Sequence, residues 1–250
     1  MSAMIHTFGF IGYDPLYMMI ALPLFLLALW AQFRVKSAYA AASQIGVASG
    51  YSGVQTARRI LDANGLSDIP VEETSGTLSD HYDPKHRVLR LSSEVYHGRS
   101  LASVGIAAHE AGHALQHAHS YALMGLRNAM VPLALTGSWT SQLLIFAGFI
   151  LMMIAHGPTP FAYGLILLGV IAFGFTVIFQ LVNLPVEFDA SSRAKLVVQE
   201  LGIVRSQEMG PIQSVLNAAA MTYVAATITA VFELLYWLYR LGLLGGNSRD

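Results

Sequence analysis

The chain has 250 residues, 54% of them hydrophobic and only 12% charged, and its mean hydropathy of +0.53 points to lipid as part of its solvent. It contains no cysteine, which excludes disulfides and thiolate metal sites and leaves histidine and carboxylate as the ligands for any zinc. A formal net charge of −1 without a basic cluster argues against a nucleic-acid partner.

Residues 16–33 form an uncharged apolar stretch just long enough to cross a bilayer. Arg34 and Lys36 follow it. A secretory signal peptide carries its positive charge in front of the apolar run, so this stretch is expected to be an uncleaved anchor with its N-terminus outside. The composition then changes, and residues 37–120 read as a compact soluble unit. Ser52 is a candidate N-cap for a short amphipathic helix that ends at Gly65. Residues 69–72 read as a brief strand, and residues 78–82 and 87–91 flank a turn at 83–86, which predicts a small antiparallel hairpin. Such an edge strand could hold an extended peptide by main-chain hydrogen bonds. His81, His86 and His97 are expected on the surface or in turns.

Ser100 can cap the next helix, which carries His109-Glu110-Ala111-Gly112-His113, and Gly125 or Pro132 marks the expected break after it. Two histidines four apart on a helix differ by only about 40° in direction, so both imidazoles can converge on one ion. A catalytic zinc keeps one position open for water, and Glu110 beside the first histidine is placed to take that water's proton. The flanks, Ile106-Ala107-Ala108 and Ala114-Leu115, are apolar. Burying two histidines and a carboxylate among them is costly unless they are paired or bind a metal. Gly112 costs about 1 kcal/mol relative to alanine inside a helix and marks a close approach of another backbone. His119 stands ten residues after His109, the offset of a third metzincin ligand, but Gln116 occupies the place where that motif needs a turning glycine. The helix is therefore expected to continue and carry His119 away, with His117 near the site.

Two further apolar spans, 139–155 and 161–182, are joined by the uncharged turn 156–160 and read as a transmembrane hairpin. Residues 183–195 then emerge into a polar helix that ends near Gly202, and residues 215–239 form a fourth span. Glu233 lies inside that span near Arg240, where a snorkelling or paired role is expected. Lysine and arginine are distributed one-sidedly: of fourteen in all, nine lie between Arg34 and Arg127 and three between Arg193 and Arg205. Four spans with both termini outside therefore place residues 34–130 and 183–214 together on the cytoplasmic face; Arg240 counts slightly against this. The hairpin thus returns a carboxylate to the side of the histidines. Glu187, just past Pro185, is favoured as third ligand and Asp189 competes with it, but the two would point about 200° apart on a helix, so only one can face the metal.

Several motifs occur in order: Asp80-His-Tyr-Asp-Pro84, Val88-Leu-Arg-Leu-Ser92, the His109–His113 stretch with its continuation Ala-Leu-Gln-His117, Pro185-Val-Glu-Phe-Asp-Ala-Ser191, and Leu216-Asn-Ala-Ala-Ala-Met-Thr-Tyr-Val224. Together they closely resemble the YugP-like membrane zinc metallopeptidases of bacteria, from the first span to Leu241. That family is similar in turn to the HtpX and Ste24 group of integral-membrane gluzincins. The resemblance implies that zinc is held by His109, His113 and Glu187, with Glu110 as general base. It departs from the HtpX and Ste24 pattern at Ser191, where that pattern has Asp, and Asp189 is a candidate substitute for its supporting service.

The resulting expectation is a mainly α integral membrane protein: about four transmembrane helices and a small α+β zincin-like cytoplasmic unit, with the two-histidine helix and a short antiparallel hairpin. The segments are an N-terminal tail and first span (1–36), a cytoplasmic zincin-like part (37–130), a transmembrane hairpin (131–182), a cytoplasmic segment with the third ligand (183–214), and a last span with its tail (215–250). The expected activity is zinc-dependent hydrolysis of peptide bonds at the cytoplasmic face of the inner membrane. The expected partners are peptide or protein substrates, membrane proteins among them, and the lipid bilayer. Arg193, His117 and Tyr223 are candidates for steadying the oxyanion. Rival readings are a catalytically silent scaffold with a structural metal site, which would not need Glu110, and a small transporter resting on Glu233 and His156.

Overall fold

The structure, a computed structural model, describes residues 14–76 and 79–244. In chain order these form α1 (Pro15–Ser43), α2 (Gly53–Ala63), β1 (Val71–Thr74), β2 (His81–Asp83), β3 (Val88–Ser92), α3 (Ser93–His97), α4 (Leu101–Ala118), α5 (Ala122–Ile154), α6 (Pro160–Glu200), a 3-10 turn (Ser206–Glu208) and α7 (Met209–Arg240). The chain divides into two compact units.

The first unit contains residues 14–29, 129–182 and 224–244. It draws on the four helices that are long and apolar enough to cross a membrane, α1, α5, α6 and α7. They run to 29, 33, 41 and 32 residues, and at about 1.5 Å per residue each exceeds a hydrocarbon thickness of about 30 Å. Their large apolar side chains face outward: Met19 is 75% exposed, Trp139 79% and Phe161 70%. In water that would be a severe liability, whereas lipid is the natural solvent for it. Inside this unit Ile145, Ile166, Val170, Tyr236 and Trp237 pack together. α5 and α6 lie so close that a Cβ on Gly148 would meet the Ala162 carbonyl at 2.8 Å, and one on Gly169 the Ser141 carbonyl at 3.0 Å. Asp14 accepts from the Tyr236 hydroxyl at 2.8 Å and the Arg240 guanidinium at 2.6 Å. Arg240 is thereby paired with Asp14, while Glu233 accepts from the Trp237 indole.

The second unit contains residues 30–76, 79–128 and 183–223. Ser52 accepts from the Gln55 amide, and the Gln55 side chain returns to the Ser52 N–H, so α2 begins in a capping box. Its apolar face, including Ile60 and Leu61, packs on α4. The expected hairpin is present: β2 pairs antiparallel with β3, Tyr82 opposite Leu89, and Asp83 closes the turn by accepting from Lys85 and His86 N–H. The strand expected at 69–72 lies at Val71–Thr74 and pairs parallel with β3, giving a three-stranded sheet of order β1-β3-β2. β3 is central and its Val88, Leu89 and Leu91 are buried. Arg90 escapes by pairing with Glu72 on β1 and Asp83 on β2.

Two expected boundaries are corrected. The break after the two-histidine helix falls at Ser120, with φ +52°, and not at Gly125 or Pro132, through which α5 runs. The Tyr121 N–H closes back on the Gln116 carbonyl and ends α4 earlier. The polar helix expected to start afresh after residue 183 is instead the continuation of α6 through Pro185. A proline removes one ladder hydrogen bond, while Asn183 and Val186 on either side of it are buried in the fold.

Candidate metal centre

α4 is buried on nearly every side. Its small residues, Ala107, Ala108, Ala111, Gly112 and Ala114, let neighbouring elements approach closely enough to enclose the polar side chains between them. The closest approach is at Gly112, where a Cβ would sit 2.6 Å from the Ala190 carbonyl oxygen of α6. This is the backbone contact that the glycine implied. It brings Glu187, one turn before Ala190 and 2% exposed, over the two imidazoles.

Glu187 Oε2 lies 3.3 Å from His109 Nε2 and 3.6 Å from His113 Nε2, and one donor atom from each of the three residues falls within 4.8 Å of the others. Tetrahedral zinc with arms of about 2.05 Å separates its ligand atoms by about 3.3 Å, and the separations of Glu187 Oε2 from the two imidazole nitrogens are close to that value. Two imidazole nitrogens and one carboxylate are also the donor set that a catalytic zinc takes. Asp189 does not join them. As the helical geometry demands, it points elsewhere and accepts from Gln116 Nε2 at 2.8 Å and from Arg193 Nε at 2.6 Å.

Each imidazole is held at its far nitrogen. His113 Nδ1 lies 2.9 Å from Gln116 Oε1, and His109 Nδ1 lies 3.2 Å from Ser191 Oγ. Arg127 closes the other side of Glu187, its guanidinium 3.7 Å from Oε1 while Nε donates to Asn183. Burial disfavours the imidazolium of His113, but the hydrogen bond to Glu187 and the charges of Glu110 and Glu187 outweigh it and hold its pKa above the ordinary histidine value. The cluster attracts positive charge, as a cation site should.

Glu110 is buried beside this group, and its Oε2 accepts from the Tyr82 N–H of β2 at 3.1 Å. With Tyr39, Asp80, Ile106, His109 and Tyr223 it lines a cavity of about 310 Å³. Burial pushes the Asp80 carboxyl up, although the Ser92 amide and hydroxyl both donate to it. Of the three oxyanion candidates, Tyr223 lines this cavity and hydrogen-bonds Glu187. His117 Nδ1 instead meets the Tyr82 hydroxyl at 2.9 Å, and Arg193 is engaged with Asp189 and His119. His119 stands apart from the ligand group because α4 ends at Ala118, not because the helix carries it onward. His81, His86 and His97 are exposed. Sequence reasoning gave Arg127 no part in the site and missed the Tyr82 amide altogether. It gave Gln116 only the negative role of blocking a third histidine; its spacing of three from His113 was the signal available.

The family described as "putative neutral zinc metallopeptidase" matches residues 17–242 of the chain. Over 224 residues the chain is 47% identical to the Bacillus subtilis (strain 168) protein named "Putative membrane protease YugP", an alignment covering 90% of this chain and 94% of that one. No solved structure matches.

Proposed function

The chain belongs to the neutral zinc metallopeptidase family, and on that premise we propose that it is a membrane-embedded zinc endopeptidase with His109, His113 and Glu187 as metal ligands and Glu110 as general base. The observation that carries this reading is the convergence of three donor atoms from α4 and α6, with a second, non-ligating carboxylate, Glu110, beside them. A site that was only structural would have no use for Glu110.

Zinc, when bound, supplies Lewis acidity that polarises a peptide carbonyl and acidifies a water molecule. The remaining work belongs to the chain. Glu110 accepts the proton of the attacking water and delivers it to the departing amine. The Tyr82 N–H fixes Oε2 of that carboxylate, leaving Oε1 for the proton. β2 is the outer strand of its sheet, so its free edge can add an extended substrate as a further strand, with main-chain hydrogen bonds and little demand on side chains. Tyr223, in the same cavity as Glu110, can turn its hydroxyl proton from Glu187 to the developing oxyanion.

The site faces the cytoplasm of the inner membrane in this proposal, because twelve of the fourteen lysines and arginines fall in residues 34–130 and 183–214. Arg240, the one span-flanking charge that counts against it, is neutralised by Asp14 at 2.6 Å. Substrates are peptides or proteins, membrane proteins among them.

The test is full-length protein in lipid nanodiscs with two substitutions. Glu110→Gln is expected to retain one zinc per chain and lose proteolysis, whereas Glu187→Ala loses both. Normal cleavage by Glu110→Gln would refute the mechanism.

A further inference from the structure

Gln116 sits one turn beyond His113 on α4 and is fully buried, with 0% exposure. A buried primary amide has two donors and one acceptor to satisfy, and its surroundings dictate which end points where. Two acceptors face its nitrogen: the Val186 carbonyl at 2.8 Å and the Asp189 carboxylate at 2.8 Å, both on α6. Neither can donate, so that end of the amide must be the NH2 group, and the oxygen is left facing His113 Nδ1 at 2.9 Å. An amide oxygen can only accept. His113 must therefore carry a proton on Nδ1, so that Nε2, the nitrogen turned toward Glu187, is the one whose lone pair is offered to a metal.

We infer that Gln116 is a positioning residue that fixes the metal-competent tautomer and ring angle of His113, and that its own orientation is imposed by Val186 and Asp189 on the helix that delivers Glu187. The third ligand and the orientation of the second are thus supplied by the same turn of α6. The inference rests on His113 being a metal ligand, as proposed above, but not on the peptidase activity. It also accounts for Asp189: a carboxylate two residues from Glu187 that cannot reach the ion serves it at one remove, with Arg193 balancing its charge at 2.6 Å.

The donor and acceptor ends of Gln116 can be separated experimentally. Gln116→Met keeps the volume and removes both; Gln116→Glu keeps the acceptor for Nδ1–H and removes the donors to α6. Zinc affinity of the full-length protein in detergent is measured by competition with a chromophoric chelator, and the thermal midpoint is measured on metal-free protein. Loss of an orienting partner typically weakens metal binding 10–100-fold. Gln116→Met is expected to lose at least about tenfold in zinc affinity, and Gln116→Glu to stay within about threefold of wild type, although both melt earlier without metal. A residue that merely tied α4 to α6 would lose affinity equally in both variants, and that result would overturn the inference. Wild-type affinity in Gln116→Met would overturn it too, as would a wild-type protein that binds no zinc. Wild-type protein that binds one zinc but cleaves no peptide counts against the peptidase reading alone, and the affinity ranking still decides this one.

Discussion

Gly112→Ala sets two physical effects against each other. Helix propensity alone predicts a gain of about 1 kcal/mol, since alanine is the best helix former and glycine among the worst. The contact across to α6 predicts the opposite. The new Cβ would lie 2.6 Å from the Ala190 oxygen, 3.3 Å from its carbonyl carbon and 3.4 Å from its Cα. Close carbon–oxygen contacts in proteins run at about 3.3 Å, so α6 must retreat by about 0.7 Å. All three of these atoms are backbone, so no rotamer change relieves the clash. Overpacking of this kind costs about 1–3 kcal/mol, which leaves a net destabilisation of up to about 2 kcal/mol. The same displacement draws Glu187 away from His109 and His113, and functional sites tolerate only about 0.5 Å of such error. Zinc affinity is therefore expected to fall at least about tenfold. Gly125→Ala is the control: it lies in α5, and a Cβ there meets nothing within 4 Å, so only the propensity gain applies. Thermal melts with and without zinc, and chelator competition, measure both quantities. If Gly112→Ala is stabilised as much as Gly125→Ala and binds zinc like wild type, the close approach of α4 and α6 does not hold the site.

Ser191→Ala removes the 3.2 Å contact at His109 Nδ1 and should lower zinc affinity about three- to tenfold, less than the loss at Gln116 because the contact is longer; metal content after dialysis against graded chelator checks this, and unchanged retention would refute it. Asp83 gives a pH prediction. Its hydrogen bond from the His86 ring, opposed in part by burial but helped by the His86 and Lys85 amides and Arg90, holds its carboxyl well below the usual carboxylate range. A depressed folded-state pKa stabilises fully above the unfolded value of about 3.9 and is lost as pH falls through the folded value. The thermal midpoint of Asp83→Asn should thus lie below wild type at pH 6, with the gap closing as pH drops from about 4 toward 2. A gap that stays constant would show that the carboxylate charge contributes nothing to the turn.

The two histidines and their helix were legible because helical spacing of four is a strong geometric constraint, and the hairpin because Asp83-Pro84 starts a turn between two short runs. The four long helices were legible from apolar content alone. Their ends were not: α6 continues through Pro185 and α5 through Pro132, because a proline's cost is local and a helix of this length keeps the rest of its ladder on either side. The parallel pairing of β1 with β3 left no mark in the sequence either, since four residues of mixed polarity do not announce their partner. Arg127 was counted only as a topological charge. Its approach to Glu187 joins residues sixty positions apart in different helices, and nothing local to either encodes it.

The choice between Glu187 and Asp189 shows how a periodicity that cannot decide a question still shapes the answer. Residues 187 and 191 share a face of α6, and they bracket one imidazole: Glu187 stands at His109 Nε2 and Ser191 at Nδ1. Asp189, about 200° round from Glu187, falls on the side where Gln116 reaches over from α4. One helical turn therefore supplies a carboxylate to the ligand group, a hydroxyl behind one imidazole and a carboxylate that aims the amide behind the other. A neutral hydroxyl at 191 suits this arrangement. Glu110 and Glu187 already place two carboxylates against the histidines, and a third at that distance would raise the cost of the metal-free state, in which no cation offsets their repulsion.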